Sequence, residues 1–144
     1  MPLNPTDIES LLPQKGAMCF LDAVTDWDNE NIHCSAAVPG ATHPLMRNGR
    51  VPALVAIEYA AQATALHGAL LDMASQPQDG MLAKLRDIDL HCAWFPVNSN
   101  GLTVHATLIS RSAGGCAYSF KVGNTHQPIA SGSLLVAFQS SMQP

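Results

Sequence analysis

From Leu54 to Leu71 the chain runs for 18 residues with one charged side chain, Glu58. The run contains no proline and no β-branched cluster, and Pro52 suits a first helical turn, so the spacing predicts a helix from Ala53 to about Met73. At about 1.5 Å per residue it is roughly 30 Å long. Leu54, Val55, Ile57, Tyr59, Leu66, Leu70 and Leu71, with alanines between them, make it apolar on nearly every side. Protein must therefore cover most of its circumference. The run is also long enough for a membrane. It holds Glu58, Gln62 and His67 and lacks flanking aromatic belts, however, so a helix buried in protein is expected and no membrane span.

The rest of the chain supplies the cover. Thr6 is placed to cap a short helix, Asp7 to Leu12, with Glu9 in the capping-box position and Pro13 closing it. Met18 to Thr25 and Ile32 to Val38 read as strands around the polar turn Asp26 to Asn31, and residues 39 to 50 are broken by Pro and Gly. After the polar loop Gln76 to Gly80 come four more strand-like runs: Met81 to Phe95, Leu102 to Arg111, Cys116 to Val122 and Ile129 to Phe138. Their short Gly-, Asn-, Ser- and Pro-rich connections suit antiparallel hairpins. The expected class is α+β, an antiparallel sheet wrapped around one long central helix, with residues 1–144 as a single domain. An unpaired sheet edge would be covered by another copy.

Only 12% of the 144 residues are charged, about half the usual quarter, which is consistent with a buried helix and a covered surface. Seven Lys and Arg against eleven Asp and Glu cannot form a basic stripe, so nucleic acid is excluded as a partner. Cys19, Cys34, Cys92 and Cys116 form no CxxC pair, and the opening MPLNPTDIESLLPQ lacks a secretory pattern; reduced thiols in the cytoplasm are expected. The dipeptides His33-Cys34 and His91-Cys92 point to opposite faces of a strand and do not chelate, so no metal is expected.

Glu58 is the acidic residue out of place. It lies one and a half turns into the apolar helix, where a lone carboxylate needs a partner or a proton. Gln62 follows at i+4 on the same face and is placed to orient it. A carboxyl so held suits a general acid; the competing structural reading is a charge pair with Arg47 or Arg50. His43 stands in the irregular segment before the helix, a candidate base if the loop folds back over the helix start. The other five histidines fit strand, turn or late-helix positions. Free N–H groups at the helix start complete a base, an acid and an oxyanion donor, the set needed to remove a proton beside a carbonyl with loss of a β-leaving group.

The stretch His43-Pro44-Leu45-Met46-Arg47-Asn48-Gly49-Arg50-Val51-Pro52-Ala53-Leu54-Val55-Ala56-Ile57-Glu58-Tyr59-Ala60-Ala61-Gln62-Ala63 resembles the active-site segment of the hotdog-fold 3-hydroxyacyl-[acyl-carrier-protein] dehydratases. That pattern runs from a catalytic His through Pro-Gly at the helix start to Glu or Asp, then Gln four residues on. Leu11-Leu12-Pro13 and Met18-Cys19-Phe20-Leu21-Asp22-Ala23-Val24 resemble the same family's N-terminal stretch. The sequence departs from the pattern at Thr42-His43-Pro44-Leu45, in a His-to-acid spacing one residue longer, and at Ala53 in place of Gly. Around Gly49-Arg50 and Ile57-Glu58-Tyr59-Ala60-Ala61-Gln62-Ala63 it is similar to dehydratase-like proteins of aryl-polyene-type lipid synthesis.

The resemblance implies a hotdog dimer whose sites lie at the interface, His43 from one subunit and Glu58 from the other. His43 would take the C2 proton of a 3-hydroxyacyl thioester. Glu58, steadied by Gln62, would protonate the departing 3-hydroxyl. The backbone N–H of Ala53 or Leu54 would hold the thioester carbonyl. No cofactor is implied; the acyl chain arrives on the phosphopantetheine arm of an acyl carrier protein, with Arg47, Arg50, Lys84 and Arg86 as candidate docking cations. Two other readings stand beside this one: an acyl thioesterase on the same fold, and a catalytically weak subunit paired with another hotdog protein.

Overall fold

The computed structural model describes residues 5–12, 14, 16–39, 43–72, 80–96 and 101–138. Helix α1 (Pro5–Leu11) and a 3₁₀ turn (Gly16–Met18) precede strands β1 (Ala23–Trp27) and β2 (Asn31–Ala36). A 3₁₀ turn (Ala53–Val55) leads into α2 (Ala56–Leu71). Strands β3 (Gly80–Leu90), β4 (Leu102–Ser112), β5 (Gly115–Gly123) and β6 (Pro128–Phe138) follow. All pairings are antiparallel, in the order β1-β2-β4-β5-β6-β3, which gives the expected α+β arrangement with β1 and β3 at the edges.

Helix α2 packs on β2, β4, β5 and β6. Ala56, Ala60 and Ala63 recur on one helical face and are fully buried, so the helix axis comes close to the sheet. Larger residues, among them Ile32, Val104, Phe120 and Leu134, fill the strand side. The 19-residue helical stretch that is long and apolar enough for a membrane, Ala53–Leu71, is thus the core helix of this sheet. Its cover is incomplete. Ala65 is exposed and Glu58, Ala61, Gly68 and Ala69 are only half-buried, so one face of α2 is open along its length.

Several boundaries differ from the sequence expectation, each for a physical reason. The first strand begins at Ala23 rather than Met18, because Gln62 on α2 takes the Met18 carbonyl (2.8 Å) and the Phe20 N–H (2.9 Å). The apolar pattern there is real, since Phe20 and Leu21 are buried, but the helix uses it instead of the sheet. The expected turn at Asp26 to Asn31 shrinks to residues 28–30, with Asp26 and Trp27 in β1 and Asn31 in β2. Asp28 Oδ1 accepts the N–H groups of Glu30 and Asn31, an Asx-type closure that also lowers the Asp28 pKa.

Helix α1 starts at Pro5, which puts Thr6 inside the first turn instead of at the cap. Glu9 accepts the Gly16 N–H (3.0 Å), which ties α1 to the following 3₁₀ turn. The final residue expected in the long helix, Met73, lies outside the described residues, as do Gln76 to Asp79 of the expected loop and residues 97–100. The run expected to be one strand from Met81 to Phe95 ends at Leu90, after irregularities in its pairing between Leu82 and Lys84 and between Arg86 and Asp89. Beyond it the chain turns toward the helix start, where Trp94 bridges Pro52 and Phe95 donates to the Val51 carbonyl (2.9 Å).

His67, expected to be a satisfied core or surface histidine, is a core one: it is fully buried with both ring nitrogens bonded. Its Nε2 lies 2.7 Å from the Asp28 carbonyl, which only accepts, so Nε2 carries the hydrogen and Nδ1 accepts from Tyr118 Oη at 2.6 Å. Burial lowers its pKa below the ordinary 6.5, so the folded protein holds it neutral. An unfolded His gains a proton below about pH 6.5 that the folded state refuses, so stability present above that pH is lost as pH falls. The urea midpoint of the wild type should therefore drop between about pH 7 and 5, and drop less in His67→Gln. Equal pH slopes in the two proteins would show that His67 is not the group responsible.

Candidate active site

Glu58 sits on the first turn of α2, half-buried on the open face. Its Oε1 accepts the Nε2 of Gln62 (3.2 Å) and the Nε2 of Gln14 (3.4 Å). Gln62 is held in turn by the Met18 carbonyl and the Phe20 N–H and is itself buried. The i+4 pair expected from the sequence therefore forms. The competing pair with Arg47 or Arg50 does not. Arg47 donates to the Met46 carbonyl (2.9 Å), and the Arg50 guanidinium lies over the Trp94 ring at 5.0 Å.

From Glu58 a cavity of about 730 Å³ follows the open face of α2 past Ala61, Ala65 and Ala69 to Asp72. Fourteen residues of helix make this roughly 20 Å. The facing wall includes Leu82, Tyr118, Leu134 and Val136. At the far end Arg111 pairs with Asp72 (2.7 Å) and lies over Phe138. Small residues on the helix leave the room that larger ones would fill. A carboxyl thus stands at one end of a long slot lined by apolar side chains together with polar ones, among them Ser10, Thr64 and Arg111.

His43 folds back over the helix start as the sequence allowed, but onto a different side of α2. Its ring packs against Phe20 in a tilted arrangement (4.6 Å between centroids), and its Nε2 lies 3.1 Å from Tyr59 Oη. Leu45 donates its N–H to Nδ1 (3.1 Å), so in the neutral ring Nε2 bears the hydrogen and donates to Tyr59. Burial lowers the His43 pKa and favours that neutral form. Tyr59 is turned about 100° around the helix from Glu58. One protomer thus does not bring His43 and Glu58 together.

At the helix start the Ala53 N–H is already bonded to the Ala93 carbonyl (2.9 Å), while that of Leu54 makes no hydrogen bond among the described residues. The side chain of Leu54 is 58% exposed. Arg47 and Arg50 face each other across the turn before α2, whereas Lys84 and Arg86 lie on the exposed edge strand β3. Leu85, opposite the buried Leu134, faces the helix side, so Lys84 and Arg86 project from the other. Met81, Leu82, Leu85 and Leu90 are exposed along this edge, interspersed with the charges of Lys84, Arg86, Asp87 and Asp89. No periodic signal in the sequence marks Gln14, Tyr59, Phe20 or Trp94 as parts of the site. Gln14 had only its place after the Leu11-Leu12-Pro13 stretch.

The sequence profile of the ApeP-like family, described as ApeP dehydratase, matches residues 6–143. Among solved structures the chain is similar to the dehydratase heterocomplex ApeI:P from Xenorhabdus doucetiae, with a TM-score of 0.81 and 20% identity over 93% of this chain and 91% of that one. It is also similar to the thioesterase HI1161 from Haemophilus influenzae (TM-score 0.70, 13% identity, 98% and 94% covered) and to a hypothetical thioesterase with coenzyme A from Streptococcus pneumoniae TIGR4 (0.63, 12%, 81% and 84%). These likenesses show the hotdog fold, with α2 as its central helix. A search of curated proteins finds no match.

Proposed function

We propose that this chain, which belongs to the ApeP-like dehydratase family, removes water from 3-hydroxyacyl thioesters carried on acyl carrier protein, giving trans-2-enoyl thioesters for fatty-acid or polyene-type lipid synthesis in the cytoplasm. The observation that carries the reading is Glu58, held by Gln62 at the head of a slot that fits an acyl chain. In the proposed step His43 takes the C2 proton and the C–H electron pair forms the C2–C3 double bond. The C3–O bond breaks as Glu58 delivers a proton to that oxygen, and water leaves. The Leu54 N–H is the open donor for the thioester oxygen, since that of Ala53 is engaged.

The site needs a second subunit. His43 and Glu58 diverge within one protomer, and the edge strand β3, with its exposed leucines, offers an unpaired edge on which a further sheet can continue. The similar ApeI:P structure is a complex of two different dehydratase chains, which favours another hotdog protein as partner over a second copy. A second reading, a catalytically weak subunit of such a pair, draws on His43: both ring nitrogens are engaged, so it must release the Leu45 N–H before it can accept a proton.

The test is incubation of the purified chain, alone and with a hotdog partner, with 3-hydroxyacyl and trans-2-enoyl thioesters. Interconversion supports dehydration. Release of free thiol supports the thioesterase alternative, and turnover that depends wholly on the partner's own histidine and acid supports the weak-subunit reading. Carrier-protein docking has its own test. Arg50→Glu should raise the KM for carrier-bound substrates by about 10-fold while short thioester mimics are unaffected. An equal response from both would end the docking assignment for Arg50.

A further inference from the structure

We propose that Gln14 is a positioning residue for Glu58: together with Gln62 it occupies carboxyl Oε1, so the proton delivered to the 3-hydroxyl is carried on Oε2. The inference rests on the dehydratase reading above. Its first step is the orientation of Gln62. The Phe20 N–H can only donate and the Met18 carbonyl can only accept, which fixes the Gln62 amide and points Nε2 at Glu58 Oε1. A hydrogen on Oε1 would face that N–H head-on. A protonated Glu58 therefore carries its hydrogen on Oε2, which makes no hydrogen bond among the described residues.

Gln14 reinforces the same assignment from a different element. It lies between α1 and the following 3₁₀ turn, not on α2, and its Nε2 also reaches Oε1. Its own Oε1 is buried with no hydrogen-bond partner among the described residues. Leaving a buried acceptor without a partner is unfavourable, and turning the amide over would set oxygen against oxygen at Glu58. The amide thus faces the carboxyl at the expense of its own oxygen. Two donors from two elements hold one carboxyl oxygen and leave the other to do the chemistry.

The test separates acid from base. Exchange of the C2 hydrogen of a saturated acyl thioester in deuterated water needs the base and the carbonyl donor but no acid at C3. In the full chain with its partner subunit, Gln14→Met should lower kcat for dehydration about 10-fold with KM within about twofold, and leave C2 exchange at the wild-type rate. Gln14→His, which keeps an N–H donor, should recover most of the loss. A parallel fall in exchange, or no recovery in Gln14→His, would reduce Gln14 to a structural residue. Wild-type dehydration that Gln14→Met leaves unchanged would overturn the positioning role alone. A wild-type complex that neither dehydrates nor hydrates would overturn the dehydratase reading and this proposal with it.

Discussion

Exchanging Glu58 for glutamine should lower the dehydration rate by about 10²–10⁴-fold, the usual contribution of a positioned general acid. The amide keeps the shape of the side chain and can still sit near Gln62 and Gln14, so the fold should survive. His43→Ala should cost a similar factor, because it removes the base and leaves the slot beside α2 untouched. The two variants also test where the residues meet. If His43 of one subunit works with Glu58 of another copy, mixing and refolding the two inactive proteins should restore about a quarter of the activity. Half of the dimers are then mixed, and each mixed dimer keeps one intact pair. No recovery on mixing would show that the working pair is not made from two copies of this chain. The same pair of variants, each combined with a different hotdog partner, would then show which of the two residues this chain contributes.

Gln62→Leu should destabilise the protein by about 1–3 kcal/mol, the usual cost of a buried N–H left without a partner. That group is the Phe20 N–H; the Met18 carbonyl loses the same partner but belongs to an exposed residue that water can reach, and neither group is taken up by the sheet. Leucine is similar in size, so the effect isolates the lost hydrogen bonds from a packing void. Against a typical total of about 5–15 kcal/mol this is a large fraction, and the urea midpoint should fall accordingly. Gln62→Glu should be nearly as harmful, since it can accept from Phe20 but cannot donate to Met18 and sets a like charge beside Glu58. A midpoint for Gln62→Leu within error of the wild type would show that those backbone groups find other partners.

Much of the fold was legible because it rests on periodicity. The apolar run around Tyr59 and Leu66 marked the central helix, and alternation with short turns marked β4, β5 and β6 to within a residue or two. The resemblance carried by the segment from His43 to Ala63 matched the family later found over nearly the whole chain. What failed was long-range. Nothing local shows that Gln62 will draw Met18 and Phe20 out of the first strand, since the bond spans more than forty residues of sequence. The open face of α2 was hidden for a related reason. Alanine counts as apolar in any pattern, but Ala61, Ala65 and Ala69 are too small to fill the space beside them. The turn of His43 toward Tyr59 also depends on Phe20, far away in sequence.

The link from the Asp28 carbonyl through His67 to Tyr118 joins an outer turn to the wall of the slot. By position and exposure, residues 28–30 look like a hairpin tip that would accept an inserted peptide. They should not. Lengthening that turn would move the carbonyl off a buried imidazole and loosen the phenol behind it. The tip at residues 124–127 differs: Asn124 Oδ1 closes it with the N–H groups of His126 and Gln127, and all of its bonds are local. A tag, a label or a linker to another domain therefore belongs at 124–127, although the two tips look alike on the surface.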